Sequence, residues 1–224
     1  MMNINAAIFL SASVPDGRGE NRYAQTADTV AIATAVGALV HVVLGRRRLV
    51  WGGHPAITPM VYAVAEGLGV DYSQWVTLYQ SRFFEDQFPE DNEKFRNVVY
   101  TQSEPDRDAS LNIMRHQMFG ENQFDAGIFI GGKEGLLEEF QLFQRMQPKA
   151  KPIPILSTGG ATLEVGAAIP DASPDLALDL DYVSLLHRHL GIPVGESRYN
   201  CPADQPAKLD DRLIRLPLRK PSLP

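Results

Sequence analysis

Short apolar runs alternate with amphipathic stretches along most of the chain, and both patterns predict secondary structure. An apolar run that ends in glycine or small polar residues is typical of a buried strand, whereas apolar residues spaced three and four apart indicate a helix. The predicted strands cover residues 7–10, 48–51, 75–79, 97–100, 125–130 and 154–156. The predicted helices cover residues 26–44, 58–68, 108–119, 135–146 and 181–190.

This order of elements predicts the fold class. Strands that are separated by helices form parallel βαβ units. We therefore expect an α/β, Rossmann-like, doubly wound fold, with a mainly parallel sheet and helices on both faces. Residues 82–96, which are rich in charge and phenylalanine, are predicted to form a loop or a short helix over the surface.

The chain divides into one predicted domain, residues 1–195, and a proline-rich C-terminal tail, residues 196–224. Four prolines between residues 203 and 224 interrupt any regular element there. Three interpretations stay open at this point: the tail wraps the domain, reaches a neighbouring subunit, or forms a loose terminus.

Composition excludes several classes of protein. Of 224 residues, 44% are hydrophobic and 21% are charged, which is ordinary globular composition. A formal net charge of −6 argues against binding long nucleic acid, because neutralisation of phosphates dominates that affinity. Cys201 is the single cysteine and the five histidines show no zinc-binding spacing, so neither an intrachain disulfide nor a bound metal or cofactor is expected.

Targeting signals are absent from the sequence as it stands. The apolar stretch at residues 6–10 has no basic region before it, so it does not resemble a signal peptide. The longest apolar segment, residues 29–44, is shorter than the roughly 20 residues that a membrane span needs. We expect a soluble, cytoplasmic protein that does not associate with membranes.

Small and polar residues follow four of the predicted strands, and these ends predict the ligand site. In an open α/β sheet, ligands bind in the crevice beyond the carboxyl ends of the strands. Glycine lets the backbone approach a ligand, and the start of the following helix attracts phosphate. The residues concerned are Ser11, Ser13, Gly52, Gly53, Gly131, Gly132, Thr158 and Gly159.

The pattern differs from the common nucleotide-binding fingerprints. The first predicted strand is followed by a loop with only Gly17 and Gly19 in place of G-x-G-x-x-G, and no Walker A motif is present. An ordinary dehydrogenase or a P-loop nucleotidase is therefore excluded. The converging glycine turns favour the binding of a nucleotide-sized anion in another way. The alternative, that these turns have a purely structural role, is less favoured.

Several charged side chains near these turns have two possible roles each. His54 follows a glycine pair at a helix start, which would lower its pKa and leave a neutral imidazole that can donate to a ligand. Arg82 lies just beyond the third strand and could reach a phosphate, or it could anchor the long loop to Glu85 or Asp86. Lys133 could contact phosphate or remain exposed.

Two further clusters also allow alternatives. Phe83, Phe84 and Phe88 could stack on an adenine, but we favour packing of the loop onto its own domain. Residues 46–48, three consecutive arginines, lie at the opposite edge of the sheet and are interpreted as a solvated turn.

Three segments together resemble the SLOG superfamily. They are residues 8–13, 50–54 and 130–138, which read IFLSAS, VWGGH and IGGKEGLLE. The superfamily includes the LOG ("lonely guy") phosphoribohydrolases, DprA-like proteins and nucleotide-sensing domains of bacterial conflict systems. The resemblance covers roughly residues 6–168, in the same order and with similar spacing.

The resemblance implies roles for particular residues. The P-G-G-x-G-T-x-x-E motif of LOG hydrolases places its two glycines on Gly131 and Gly132 and its glutamate on Glu138. Here Ile130, Glu134 and Gly135 replace the proline, the third glycine and the threonine, and Lys133 lies in the same loop. Arg115 matches an arginine that these enzymes use, although its spacing to the next methionine is one residue shorter. Glu139 is expected to face solvent or a subunit.

Two functions follow from the resemblance. The altered loop favours a sensor that binds a nucleotide or a ligand derived from NAD or ADP-ribose, as in antiphage defence, with a separately encoded effector protein. The alternative is a LOG-like enzyme that cleaves the N-glycosidic bond of a nucleoside 5′-monophosphate, with Glu138 and Arg115 as catalytic residues. The resemblance also implies homo-oligomers, because LOG and SLOG relatives associate through helices that flank the site. The apolar residues Leu137, Phe140, Leu142 and Phe143, which spread over more than one helix face, agree with this expectation.

Overall fold

Six parallel strands form the sheet at the centre of the computed structural model, in which residues 6–16 and 21–214 are described. The strand order is β4-β3-β2-β1-β5-β6. In chain order the strands are β1 (Ala7–Ser13), β2 (Arg48–Trp51), β3 (Val76–Ser81), β4 (Val98–Thr101), β5 (Phe124–Gly131) and β6 (Lys151–Ile155).

Helices cover both faces of the sheet, so the predicted doubly wound α/β fold is confirmed. The helices are α1 (Thr29–Val43), α2 (Thr58–Glu66), α3 (Tyr72–Trp75), α4 (Arg107–Glu121), α5 (Glu134–Met146), α6 (Thr162–Ala167), α7 (Asp175–Leu178) and α8 (Tyr182–Leu190). Helices α1, α2 and α8 pack together on one face, and α4, α5 and α6 pack on the other.

Alternation along β1 divides its side chains between two cores. Successive residues of a strand point to opposite faces. Ile8 and Leu10 join the core beneath α1, while Ala7 and Phe9 join the core beneath α4 and α5. The Phe9 ring packs edge-on against Phe119 with ring centroids 4.8 Å apart. Both faces of β1 are therefore buried, which fixes it as the centre of the sheet.

The strand order reverses at β1. After β1 the chain adds β2, β3 and β4 on one side, and then returns to place β5 and β6 on the other side. The adjoining carboxyl ends of β1 and β5, at Ser13 and Gly131, are the topological switch point, where open α/β sheets bind ligands.

The predicted elements differ from the structure mainly at their ends. Helix α1 begins at Thr29 because the Asp28 carboxylate accepts the backbone N–H groups of Val30 and Ala31. Strand β3 starts after the single turn of α3 rather than at Trp75. The loop at residues 82–96 contains two 3-10 turns, Arg82–Gln87 and Glu90–Lys94. The short helices α3, α6 and α7 were not predicted.

The described part of the C-terminal segment wraps the amino-terminal edge of the sheet. Glu196 is buried, and its carboxylate accepts from Arg47 Nη1 at 2.7 Å and from Arg212 Nη1 at 3.3 Å. Arg46 Nε donates to the Glu196 backbone carbonyl at 2.8 Å. The last part of the predicted tail, residues 215–224, lies outside the described residues.

These contacts correct the interpretation of residues 46–48 as a solvated turn. Arg46 and Arg47 are both buried, and Arg48 is half-buried. Burial is possible because Glu196 supplies the opposite charge and backbone carbonyls accept the remaining guanidinium N–H groups.

Across residues 6–16 and 21–214, no helix combines the length and the apolar character that crossing a bilayer requires.

Candidate functional site

A cavity of about 810 Å³ lies at the carboxyl edge of the sheet, over the ends of β1, β2 and β3. Helices α4 and α5 and the first 3-10 turn after β3 complete its walls. Ten of the residues that the sequence predicts for a site line this cavity. They are Ser11, Ser13, Gly52, Gly53, His54, Arg115, Lys133, Glu134, Gly135 and Glu138.

A network of charged and polar side chains links α4, α5 and β1 at the cavity wall. Arg115 Nη1 donates to Glu138 Oε2 at 2.5 Å, and Arg115 Nε donates to Glu139 Oε1 at 3.3 Å. Its remaining nitrogen donates to the Gly135 carbonyl at 3.1 Å. Glu139 Oε2 in turn accepts from the hydroxyl of Ser11 at 2.6 Å. The guanidinium therefore fixes both carboxylates at the cavity wall.

Burial differs sharply within this network. The side chains of Arg115 and Glu139 are 8% and 16% exposed, whereas that of Glu138 is 59% exposed. Burial on its own lowers the pKa of Arg115, but the two adjacent carboxylates outweigh that effect and the pKa is raised. Arg115 is therefore a buried cation, and the alternative of a solvated arginine is wrong.

Glu139 also corrects an expectation. It was expected to face solvent or a subunit, but it is the more buried of the two carboxylates and contacts Ser11. The sequence distance between the last glycine of the loop and the glutamate could have identified Glu139. In the LOG motif the glutamate stands four residues after the third glycine, and four residues after Gly135 is Glu139.

The amino end of α5 opens into the cavity. Lys133 occupies the N-cap position, and no side chain caps the helix. Glu134 and Gly135 line the cavity beside it. Lys133 Nζ forms an ion pair with Asp16 Oδ1 at 3.0 Å, and Asp16 also lines the cavity. Backbone N–H groups and an ammonium group thus lie together, an arrangement that suits an anion.

His54 is a neutral donor at neutral pH. Burial lowers its pKa from 6.5, and the positive charge of Lys133 lowers it further, while Asp16 opposes the change. Its Nδ1 accepts the backbone N–H of Ala56 at 3.2 Å, which leaves the proton on Nε2. The predicted direction of the pKa shift is confirmed, although burial rather than the helix start is its main cause.

Four predicted ligand residues, Gly131, Gly132, Thr158 and Gly159, do not line the cavity. The Thr158 hydroxyl accepts the N–H of Gly131 at 2.9 Å and donates to the Ile155 carbonyl at 2.6 Å. A Cβ on Gly160 would lie 2.8 Å from the Gly132 carbonyl oxygen. These residues join the ends of β5 and β6 by close backbone packing, so their place in the structure is beneath the site.

Arg82 also lies away from the cavity lining. Its Nη1 pairs with Glu85 Oε1 at 2.8 Å, and its guanidinium lies over the Tyr100 ring at 5.0 Å. This is the anchoring arrangement that the sequence offered as the alternative to phosphate binding.

The wall formed by α4 and the segment after β3 carries several apolar side chains beside the polar residues Gln87 and Arg107. Phe84, Phe88, Leu111 and Met114 line it. Phe83 does not line the cavity and packs edge-on against Phe84, with ring centroids 5.0 Å apart. Phe84 and Phe88 thus reach the cavity, whereas Phe83 packs within its own segment. Stacking on an adenine stays a prediction.

Gln80 is a cavity residue that sequence reasoning missed. It is the fifth residue of β3 and lines the cavity although it is only 6% exposed. A polar residue within an apolar strand is the signal that could have identified it.

The helix α5 does not present the apolar surface on which the expected association was based. Phe140, Leu142 and Phe143 are buried within the protomer, and Leu137 packs against the same core. Homo-oligomer formation stays a prediction without this argument.

Within the described ranges, no group of three or more histidine, cysteine, aspartate or glutamate side chains is arranged to hold a metal ion. The donor set of the cavity is instead a mixture of cations, carboxylates, hydroxyls and amides.

Comparison with known proteins identifies the family. No curated protein and no solved structure matches the chain significantly. The model of the SLOG cluster3 family matches residues 22–190, well over half of the chain and nearly all of the elements that build the cavity. The resemblance of the short motifs is thereby confirmed at the level of the superfamily, and the chain belongs to the SLOG cluster3 family.

Proposed function

We propose that the chain binds a nucleotide, or a ligand derived from NAD or ADP-ribose, at the carboxyl edge of its sheet and acts as a sensor of that ligand. Membership of a SLOG family suggests a nucleotide-related function. The observation that carries the proposal is the uncapped amino end of α5, which opens into the cavity beside Lys133, one helical turn before Glu138 and Glu139.

The size and charge of the cavity support this proposal. Ligand cavities in proteins usually measure about 300–1,000 Å³, and this one measures about 810 Å³. Its lining combines arginine and lysine side chains with carboxylates. Phosphate oxygens suit the cations and the helix end, and ribose hydroxyls suit the carboxylates.

The Arg115 network favours binding over turnover at Glu138. The Arg115 guanidinium holds one oxygen of the Glu138 carboxylate at 2.5 Å and leaves it further acceptor positions for ligand hydroxyls. Glu138 is also largely exposed. The network therefore acts as a rigid set of acceptors for ligand hydroxyls.

The second candidate is the hydrolase, and one contact supports it. Glu139 is half-buried and hydrogen-bonded to the Ser11 hydroxyl inside the cavity. A carboxylate in this position could stabilise the positive charge that develops on a ribose ring when the bond to its base breaks. In this alternative Glu139, rather than Glu138, performs the chemistry.

The test combines binding and turnover with a defined set of ligands. The chain is incubated with AMP, NAD, ADP-ribose and cyclic ADP-ribose, and both the melting temperature and release of free base are measured. A sensor shows a rise of several degrees with at least one ligand and no release of base. Release of base that Glu139→Gln abolishes establishes the hydrolase instead.

A matched variant controls for the loss of one negative charge. Glu93 is exposed and does not line the cavity, so Glu93→Gln should leave the ligand-induced shift unchanged. Glu138→Gln and Glu139→Gln should each reduce it. If none of the four ligands changes the melting temperature or loses its base, both functions are wrong.

A sensor must also pass its signal on. We include in the proposal that the chain forms homo-oligomers and acts on a separately encoded effector, as in bacterial antiphage signalling. Sedimentation with and without the ligand that raises the melting temperature tests the first part. A single monomeric species under both conditions would contradict it.

A further inference from the structure

The cavity has two halves of different chemistry. Beside β1 and α5 lie the charged groups Lys133, Arg115, Glu138 and Glu139. Beside β3 and α4 the lining includes four aromatic and aliphatic side chains, Phe84, Phe88, Leu111 and Met114, together with the polar residues Ser81, Gln87 and Arg107. The charged half suits a sugar phosphate, so a nucleotide in this cavity would place its base against the aromatic and aliphatic side chains.

Gln80 is a deeply buried polar residue of the cavity wall. It is buried to more than nine-tenths, yet it lines the cavity. Within the described ranges its side-chain amide has no hydrogen-bond partner and neither amide atom is fully enclosed, so the amide keeps surface that opens to the cavity. A ligand or a water molecule can complete the hydrogen bonds of such an amide.

The turn at Gly53 and the pairing of β3 with β4 describe the surroundings of this amide. A Cβ on Gly53 would overlap Gln80 Nε2, so the glycine at this turn leaves room for the amide. Gln80 pairs with Tyr100 across β3 and β4, and paired residues point to the same face. The Tyr100 ring in turn lies 5.8 Å from the ring of Phe88.

We infer that Gln80 recognises the edge of the ligand's base and determines which base is accepted; this inference rests on the proposed function. A glutamine amide offers one acceptor and a donor side by side. It pairs with an edge that presents a donor beside an acceptor, as adenine does with its exocyclic amine and adjacent ring nitrogen. The carboxamide of nicotinamide carries the same two groups.

The first experiment separates contact with the base from contact with the sugar phosphate. Affinities for AMP and for ribose 5-phosphate are measured by calorimetry for the wild type and for Gln80→Met, which keeps the length of the side chain. AMP should bind the variant roughly 5- to 150-fold more weakly, as expected for loss of a two-pronged contact. Ribose 5-phosphate, which has no base, should bind both proteins equally.

The matched control is Gln102→Met. Gln102 follows β4, is exposed and does not line the cavity. Both ligands should bind this variant with wild-type affinity.

The second experiment identifies the base by comparing two pairs of nucleotides, first with the wild type and then with Gln80→Met. AMP is compared with purine riboside monophosphate, which lacks the exocyclic amine. Nicotinamide mononucleotide is compared with nicotinic acid mononucleotide, whose carboxylate cannot donate. The pair that contains the natural base should differ by at least about fivefold, and Gln80→Met should abolish that difference.

The inference is wrong if neither pair differs in the wild type, or if Gln80→Met weakens AMP and ribose 5-phosphate equally. Those outcomes leave the proposed function intact, because nucleotides still bind. If none of these ligands binds to the wild type, the Gln80→Met comparison is made with NAD, ADP-ribose and cyclic ADP-ribose. The proposed function itself is wrong only if these also fail to bind, so the two failures are distinguishable.

Discussion

Two clusters of arginine and carboxylate lie at opposite edges of the sheet, and they differ in how far their charges are enclosed. At the amino edge, Glu196 is buried between Arg47 and Arg212, and both arginines are buried as well. At the carboxyl edge, Arg115 is equally buried, but Glu138 is 59% exposed to the cavity. Pairs of arginine and carboxylate thus hold the C-terminal segment against the domain at the amino edge. At the carboxyl edge they leave carboxylate oxygens that can accept from a ligand.

The comparison shows why burial of an arginine alone does not indicate its role. The Glu196 carboxylate is used completely by protein donors, since Arg47 binds both of its oxygens at 2.7 and 3.1 Å. In the Arg115 network, the guanidinium is satisfied while the carboxylates keep free acceptor positions. We therefore expect the first cluster to control stability and the second to control binding.

Breaking the enclosed cluster should have the largest effect. Glu196→Gln removes the charge that compensates Arg47 and Arg212, and should lower the free energy of unfolding by about 3–5 kcal/mol. Urea denaturation measures this loss. Glu196→Asp keeps the charge and should lose clearly less. A loss below about 1 kcal/mol for Glu196→Gln would show that solvent reaches the cluster.

Breaking the open cluster should cost less stability and more binding. Arg115→Met leaves Glu139 without its cation, and should lower the free energy of unfolding by about 1–3 kcal/mol. Glu138→Gln should change it by less than about 1 kcal/mol, because Glu138 is largely exposed. Both variants should nevertheless bind the stabilising nucleotide more weakly in a thermal-shift titration. Wild-type binding by Arg115→Met would place the ligand elsewhere.

His54 at the carboxyl edge and His41 at the amino edge make the stability of the protein depend on pH. Burial lowers the pKa of His54, as does Lys133, and burial lowers the pKa of His41, as do Arg198, Arg46 and His187. Since both histidines bind protons less readily when folded, stability is unaffected well above pH 6.5 and falls as pH decreases through and below that value. Denaturation curves at several pH values should show this slope, which should be smaller in His54→Gln.

A bound phosphate should distinguish these two histidines. The ligand's negative charge lies near His54 at the cavity and far from His41, so it should raise the pKa of His54 alone. A proton NMR titration of the histidine rings with and without AMP measures both values. The proposed position of the phosphate would be contradicted if AMP changed the pKa values of His54 and His41 equally. It would also be contradicted if AMP bound and changed neither value.

The smallest effect is expected at Arg82. Its ion pair with Glu85 is exposed on both sides and lies outside the cavity lining. Arg82→Ala should change the free energy of unfolding by no more than about 0.5 kcal/mol and leave nucleotide affinity unchanged. Loss of affinity in calorimetry would return Arg82 to the ligand site.

Sequence predicts the fold well because the strands are buried on both faces. Such strands are continuous apolar runs, as residues 7–10 and 126–130 show. The bounds of β6 are predicted least well, at residues 154–156 instead of Lys151–Ile155. Pro152 and Pro154 interrupt the apolar run that would indicate this edge strand. Short helices such as α6 span too few residues to show a helical period.

The site could be predicted only in outline. Glycine turns locate the carboxyl edge, but which glycines reach the cavity depends on how β5 and β6 pack, and that information is not local. Glu138 and Glu139 lie about 100° apart on α5, so only the position of Arg115 on another helix determines their different burial. Likewise, the partner that buries Arg47 lies 149 residues away in sequence.

That separation has a consequence for synthesis of the chain. A ribosome releases Arg46 and Arg47 long before it releases Glu196, so the growing polypeptide carries these guanidinium groups without their carboxylate. Charges without a partner stay hydrated, since leaving water costs several kcal/mol per ion. We therefore expect the edge of the nascent sheet to stay open until translation has passed Glu196, which would make its closure a late event in the maturation of this protein.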